Sequence, residues 1–231
     1  MIDLFYSPTP NGQKITLMLE ELGIDYRIVP INIRKDDQFD PDFLKISPNN
    51  RIPAIIDHKP INGGKAMPLF ESGAILEYLA DKNGRFLPTS GPLRYEALQW
   101  LHWQMGGIGP MVGQNFHFNK AAPEKIPYAI ERYVNETKRL YGVLDKHLKG
   151  KEFVAGDYSI ADMALWPWIN RWEAQSVNIF DWPNLEAWLE RVAERPATER
   201  ALDLSDAFDW DSALNEDGKA SLKAAIEAAG L

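Results

Sequence analysis

A chain of 231 residues, 45% hydrophobic and 25% charged, has the balance of an ordinary globular protein with room for two modest domains. Its net charge of −8, with no long basic run, argues against a nucleic-acid or anionic-membrane partner, and no apolar run approaches the roughly 20 residues that span a bilayer. It holds no cysteine, which excludes disulfides, Cys-based zinc sites and an enzyme thiol. Any thiol chemistry must therefore use sulfur that arrives with a substrate. Four scattered histidines (His58, His102, His117, His147) form no close pair of the kind that holds a metal on a helix, so no metal is expected. The start, Met1-Ile2-Asp3-Leu4, has no signal-like pattern, which predicts a cytoplasmic protein.

Strand and helix signals alternate first. Ile2–Tyr6 is a short apolar strand pattern, and Pro8, Pro10, Asn11 and Gly12 mark a loop after it. Ile15, Met18, Leu19 and Leu22 recur at helical spacing until Gly23 ends the run. Residues 26–31 and 52–57 predict two more strands, with only a short helix within 36–46 between them. Gly63-Gly64 turns the chain into a fourth strand, Met67–Phe70, and Ile75, Tyr78, Leu79 and Lys82 share one face of a following helix.

Beyond residue 93 the signals are helical. Leu98, Leu101, His102 and Met105 begin a helix that meets Gly106-Gly107-Ile108-Gly109-Pro110, where a kink or break is expected. Ile130, Val134, Thr137, Tyr141, Leu144 and Leu148 predict a long helix. Ser159-Ile160-Ala161-Asp162 has the form of a capping box, and 183–195 is a further helix. Residues 206–231, acidic and Ala-rich, predict a short peripheral helix or a mobile tail. The expected division is 1–84, a linker at 85–92, a helical domain at 93–205 and a tail at 206–231.

Three stretches of the first domain carry chemistry. In Pro8-Thr9-Pro10-Asn11-Gly12 the amides of a helix start carry partial positive charge, and Thr9 and Asn11 add side-chain donors suited to a thiolate; a plain turn with an N-cap reads the same way. In Asn50-Arg51-Ile52-Pro53-Ala54, Pro53 suits an edge position or a cis peptide that leaves the Ile52 backbone to an extended ligand. In Phe70-Glu71-Ser72-Gly73, Ser72 can cap a helix while holding a carboxylate, Glu71 can pair with an ammonium, and an ordinary acidic first turn fits equally.

Together these stretches resemble the glutathione transferase superfamily over nearly the whole chain. Glu71-Ser72-Gly73-Ala74-Ile75 is similar to its γ-glutamyl-binding signature, Ile52-Pro53-Ala54 to its cis-proline segment, and Ser159–Asp162 to its helical capping box. Ser-Pro-Thr-Pro-Asn-Gly-Gln-Lys (7–14), Ile-Ser-Pro-Asn-Asn-Arg-Ile-Pro-Ala (46–54), the run 99–111, 113–118 and Ile-Glu-Arg-Tyr (130–133) resemble the Nu class and its fungal nitrogen-regulator relatives. The resemblance implies an α/β plus all-α fold: a thioredoxin-like N-terminal domain with a mixed four-stranded sheet, then an all-helical domain. It also implies a homodimer and, as co-substrate, glutathione, as two molecules or as glutathione disulfide in each site.

The activity so implied is that of a glutathione-dependent disulfide-bond oxidoreductase, with peroxidase and weak conjugating activity beside it and a small disulfide, peroxide or electrophile as second substrate. Thr9 and Asn11 match the class's sulfur contacts, and Gln38, Ile52, Glu71, Ser72 and Arg132 its other glutathione contacts; Arg51 and Lys14 are candidates for the glycyl carboxylate. Tyr6 competes with Thr9 as thiol donor, although its alternation with Leu4 points it to the core. Arg132 is read either as a carboxylate clamp or as a solvated arginine paired with Glu136. The tryptophans at 100, 103, 166, 168 and 172 fit interior packing, His102 and His117 fit packed helix positions, and Asn115 and Phe116 are candidates to face the site. A conventional transferase or glutathione lyase, and a non-enzymatic glutathione-binding regulator, are the alternatives.

Overall fold

In the computed structural model, β1 (Ile2–Tyr6) is buried along its whole length, as befits a central strand. It pairs in parallel with β2 (Tyr26–Pro30) and antiparallel with β3 (Ala54–Asp57), which pairs antiparallel with β4 (Met67–Phe70). The mixed sheet has the order β2-β1-β3-β4. β3 begins at Ala54 rather than at 52, since Pro53 has no N–H to give the ladder. The structure describes residues 1–61, 63–210 and 216–231.

The parallel β1/β2 pair needs a crossover, and α1 (Pro10–Leu22) supplies it, ending on Gly23 in the left-handed region at φ 64°. A 3-10 turn at Asp37–Phe39 leads into α2 (Pro41–Ile46), capped by the Asp40 side chain. After β4 comes α3 (Ser72–Asn83), which packs against α1.

The chain then enters a second compact unit, residues 86–195. Its first residues are anchored rather than loose: Leu87 is buried, and the Phe86 carbonyl accepts from the Ile160 amide at 3.0 Å. α4 (Pro92–Trp103) passes into a π-helical turn, Gln104–Ile108, and on into α5 (Gly109–Phe116). The expected break is thus a widened turn in continuous helix. Pro110 cannot donate to the Gly106 carbonyl, and the Gly109 amide reaches back five residues to Gln104. A Cβ at Gly109 would lie 2.9 Å from Gln104 Nε2 and 3.3 Å from the Gln104 carbonyl oxygen, so the small residue eases the packing of the turn.

α6 (Pro127–Leu148) follows a second π-helical turn at His117–Ala121. α7 (Ile160–Ile169) opens on the predicted capping box: Ser159 Oγ accepts from the Ala161 amide at 3.3 Å, and the Ser159 amide donates to Asp162 Oδ2 at 2.9 Å. Asp162 Oδ1 also accepts from the Val154 amide and from Trp188 Nε1, both at 2.9 Å. Trp188 is carried by α8 (Pro183–Ala193).

The chain then returns to its starting unit, which comprises residues 1–85 with 196–231. α9 (Pro196–Asp206) packs on α1, and α10 (Glu216–Ala229) packs on α2 and β2. This differs from the division expected at 93–205 and 206–231. α10 is no peripheral tail: Leu222, Ala225, Ile226 and Ala229 complete one apolar core with Phe5, Val29, Ile31, Phe43 and Ile46. Its Ala-rich composition hid a real apolar stripe at helical spacing. Residues 211–215 of the expected tail lie outside the described residues.

Candidate active site

The site is built where β1 runs into α1 with almost no loop. The Thr9 amide donates to the Ser7 carbonyl at 2.7 Å, and Thr9 is the helix N-cap, its Oγ1 accepting from the Gly12 amide at 3.3 Å. A Cβ at Gly12 would lie 2.2 Å from the Ser7 carbonyl and 2.9 Å from the Tyr6 ring, so only glycine lets the helix start this close to the strand. The partial positive charge of the helix start therefore lies beside Thr9 and Asn11.

Opposite this helix start, the Ile52–Pro53 peptide is cis, as the sequence pattern expects. The segment before it is cinched by Ser47, whose Oγ donates to the Arg51 carbonyl at 2.7 Å, while the Arg51 guanidinium donates to the Asn50 carbonyl at 3.0 Å. The third wall is the β4–α3 corner. Ser72, expected as the helix cap, is instead the first helical residue; Glu71 holds the cap position without a side-chain cap bond. Glu71 adopts φ 71°, ψ 112°, a costly backbone region for a residue with a Cβ. The Ser72 oxygen is engaged elsewhere, accepting from Lys14 Nζ at 3.2 Å.

These walls enclose a cleft of about 250 Å³ lined by Asn11, Ser47, Arg51, Ile52, Pro53, Phe70, Glu71 and Ser72. Six of the sequence-predicted residues therefore meet in one place. Thr9 stands at the same helix start but is not part of the lining, and neither is Gln38. Gln38 lies in the 3-10 turn before α2; its Oε1 is shielded from solvent and accepts no hydrogen bond among the described residues. Ser47 and Phe70 were missed as site residues, although both lie within or beside motifs the sequence displays.

Lys14 is not near a glycyl-type position on the surface. It is 1% exposed and its ammonium reaches the Ser72 end of the cleft. Burial pulls its pKa from 10.5 down to about 7, against the opposing pull of the Glu71 charge. Tyr6 is fully buried and its hydroxyl is 2.7 Å from Ser205 Oγ. Burial pushes its pKa up to about 12, only partly offset by the bonds to Ser205 and Thr16.

Arg132 belongs to the other unit. It is exposed on α6, where it lines an open groove of about 420 Å³ with Tyr128, Glu131, Asn135, Glu136 and Arg139. The Arg132–Glu136 pair expected from i,i+4 spacing does not form: Arg139 grips both Glu136 oxygens at 2.8 and 2.7 Å. A two-pronged grip of this kind outcompetes a single contact. Asn115 faces the interior of its unit, donating to Thr137 Oγ1 at 2.9 Å and to the Gln175 carbonyl at 3.0 Å. His102 and His117 are exposed rather than packed. Trp166 is buried, with its Nε1 on the Leu189 carbonyl at 3.0 Å. Among the described residues no group of three or more His, Cys, Asp or Glu is placed to hold a metal, and no helix is long and apolar enough to cross a membrane.

A four-stranded thioredoxin-like sheet with a cleft at its first helix start, joined to a helical unit, defines the glutathione transferase class of fold. The family models agree: residues 2–81 match the glutathione S-transferase N-terminal domain and residues 111–196 the C-terminal domain. The chain belongs to the glutathione S-transferase family. α10 and nearly all of α9 lie beyond the matched residues.

The sequence is 57% identical over 203 residues to the disulfide-bond oxidoreductase YfcG of Escherichia coli K12, covering 87% of this chain and 94% of that protein. Among solved structures, a glutathione transferase family member from Pseudomonas fluorescens Pf-5, with two glutathione bound, is 48% identical at a TM-score of 0.84, covering 87% of this chain and 92% of that one. A glutathione transferase from Pseudomonas putida, with one glutathione disulfide bound per subunit, is 45% identical, also at 0.84, covering 88% and 91%.

Proposed function

We propose that this protein is a Nu-class glutathione-dependent disulfide-bond oxidoreductase. The observation that carries the reading is the cleft itself, which joins the start of α1 to the Ile52-Pro53 and Glu71-Ser72 walls in a chain that has no cysteine. The likeness to YfcG and to transferases holding two glutathiones or one glutathione disulfide supports it.

Glutathione lies with its γ-glutamyl ammonium at Glu71 and its α-carboxylate at Ser72. Its cysteinyl backbone runs along Ile52-Pro53, and its glycyl end points toward Arg51 and Gln38. The sulfur then meets the helix start, where Thr9, Asn11 and the first-turn amides favour the anion. A free thiol ionises near pH 8.5, and each pKa unit of lowering needs about 1.4 kcal/mol, within reach of two donors and a helix N-terminus.

The thiolate attacks one sulfur of the substrate disulfide, forming a mixed disulfide and expelling one substrate thiolate. A second glutathione thiolate attacks the mixed disulfide at the glutathione sulfur. Glutathione disulfide forms and the other substrate thiolate leaves. Two glutathiones are oxidised, one disulfide is reduced, and no protein sulfur takes part. Arg132 is the candidate clamp for the second glutathione. The reading carries with it a cytoplasmic homodimer, for which light scattering should give twice the chain mass.

Parallel assays with hydroxyethyl disulfide, cumene hydroperoxide and chlorodinitrobenzene test the activity. Fast disulfide turnover with poor arylation is the expected result. Arylation exceeding disulfide reduction would replace the reading with a conventional transferase, and glutathione binding without turnover of any of the three would replace it with a regulator.

A further inference from the structure

Lys14 points inward from α1 into a region that the rest of the helix fills with Ile15, Leu17, Met18 and Leu19. Burying an ammonium is costly unless it is hydrogen-bonded, and an apolar side chain of similar length would fill the space without that cost. The ammonium donates to Ser72 Oγ at 3.2 Å, on a residue that lines the cleft.

An ammonium has only hydrogens to offer. The Ser72 oxygen is therefore the acceptor in this bond, and the hydroxyl hydrogen plays no part in it. Positive charge therefore sits against the Ser72 oxygen, on a residue that lines the cleft. Ser72 also opens α3, whose first amides carry partial positive charge on the same side. From the β4–α3 corner, the Glu71 charge acts on Lys14. On α9, which packs on α1, Arg200 is paired with Glu20.

We propose that Lys14 is a positioning residue for the ligand's γ-glutamyl carboxylate, holding the Ser72 hydroxyl as its donor and supplying positive charge from beneath the cleft floor. The proposal rests on the glutathione reading of the site and deepens it. Glu71 selects the ammonium of the γ-glutamyl group, and Lys14 acting through Ser72 selects its carboxylate. Each charged end of one amino-acid head group thus meets its opposite.

Calorimetric titration with two probes tests this. One is glutathione disulfide, which has no thiol to ionise. The other is γ-aminobutyryl-cysteinyl-glycine disulfide, in which hydrogen replaces each γ-glutamyl α-carboxylate. Lys14→Met should weaken glutathione disulfide about tenfold or more, the scale of one charge-assisted hydrogen bond, and change the analogue less than about twofold on the same scale. Equal weakening of both probes, or of neither, overturns the proposal.

If Lys14→Met does not fold, the wild type still decides. Glutathione disulfide binding near pH 8 should take up more protons than analogue binding, read from buffers of different ionisation enthalpy; equal uptake overturns the proposal. Wild-type protein that takes up neither probe overturns the glutathione reading as well, whereas wild-type binding that Lys14→Met leaves unchanged overturns this proposal alone.

Discussion

The Tyr6 hydroxyl lies 2.7 Å from Ser205 Oγ on α9, on the buried side of β1, while Thr9 three residues later caps α1 at the cleft. The two candidate thiol donors therefore stand in separate surroundings. Tyr6→Phe should cost about 1 kcal/mol of stability, the net worth of a hydrogen bond, and leave disulfide turnover within about twofold. Thr9→Ala should cost a similar amount as a lost cap and lower kcat at least about tenfold. Steady-state kinetics with a thermal melt of each variant checks both. Turnover lost in Tyr6→Phe and kept in Thr9→Ala would reverse the assignment.

Lys14 links stability to pH. Folding lowers its pKa from 10.5 to about 7. Between those values the unfolded chain holds more protons than the folded one, so this group's effect on stability improves as pH rises. The slope is at most about 1.4 kcal/mol per pH unit. Below pH 7 both states hold the proton and the burial penalty is fully felt. Urea unfolding at several pH values from 7 to 9 should show this slope in the wild type and lose it in Lys14→Met. A slope that survives the substitution belongs to another group.

Asp162 holds four donors of the helical unit: the Val154 and Ser159 amides, Ser159 Oγ and Trp188 Nε1. Asp162→Ala leaves them unpaired in a dry interior and should destabilise by about 3 kcal/mol or more. Asp162→Asn, which keeps one acceptor oxygen, should fall between. Denaturant titration followed by the fluorescence of the chain's eight tryptophans reads this. A loss below about 1 kcal/mol would mean that the box is decoration.

Leu222 on α10 is 1% exposed within the core that also contains Phe43 and Ile46. Leu222→Ala should cost about 2–5 kcal/mol, as for other fully buried leucines. Its effect should appear as a loss of overall stability with glutathione affinity retained while the chain is folded. A neutral result would restore α10 to the peripheral role its composition suggested.

Much of the site was legible because its parts are local. The Pro-x-Pro-Asn-Gly turn, the Ile52-Pro53 step and the Glu71-Ser72 corner each announce themselves in a few consecutive residues, and the structure brings Asn11, Arg51, Ile52, Pro53, Glu71 and Ser72 into one cleft. The capping box at Ser159–Asp162 was readable for the same reason, since both partners lie within one turn. Thr9 as N-cap needed only the helix start to be placed.

The sequence by itself determined the order of the strands and helices of the first 83 residues, the absence of a protein thiol, and the family that the three short motifs define. Only the tertiary structure decided what those residues touch. It took the Ser72 oxygen from its expected cap and gave it to a lysine 58 positions away, and it sent Tyr6 to Ser205 across 199 positions. It handed Glu136 to Arg139 instead of Arg132, and it drew α10 into the first unit's core. Local pattern records which bonds a side chain is able to make. Competition among distant partners for the same donor, acceptor or apolar surface is settled only when the chain is packed.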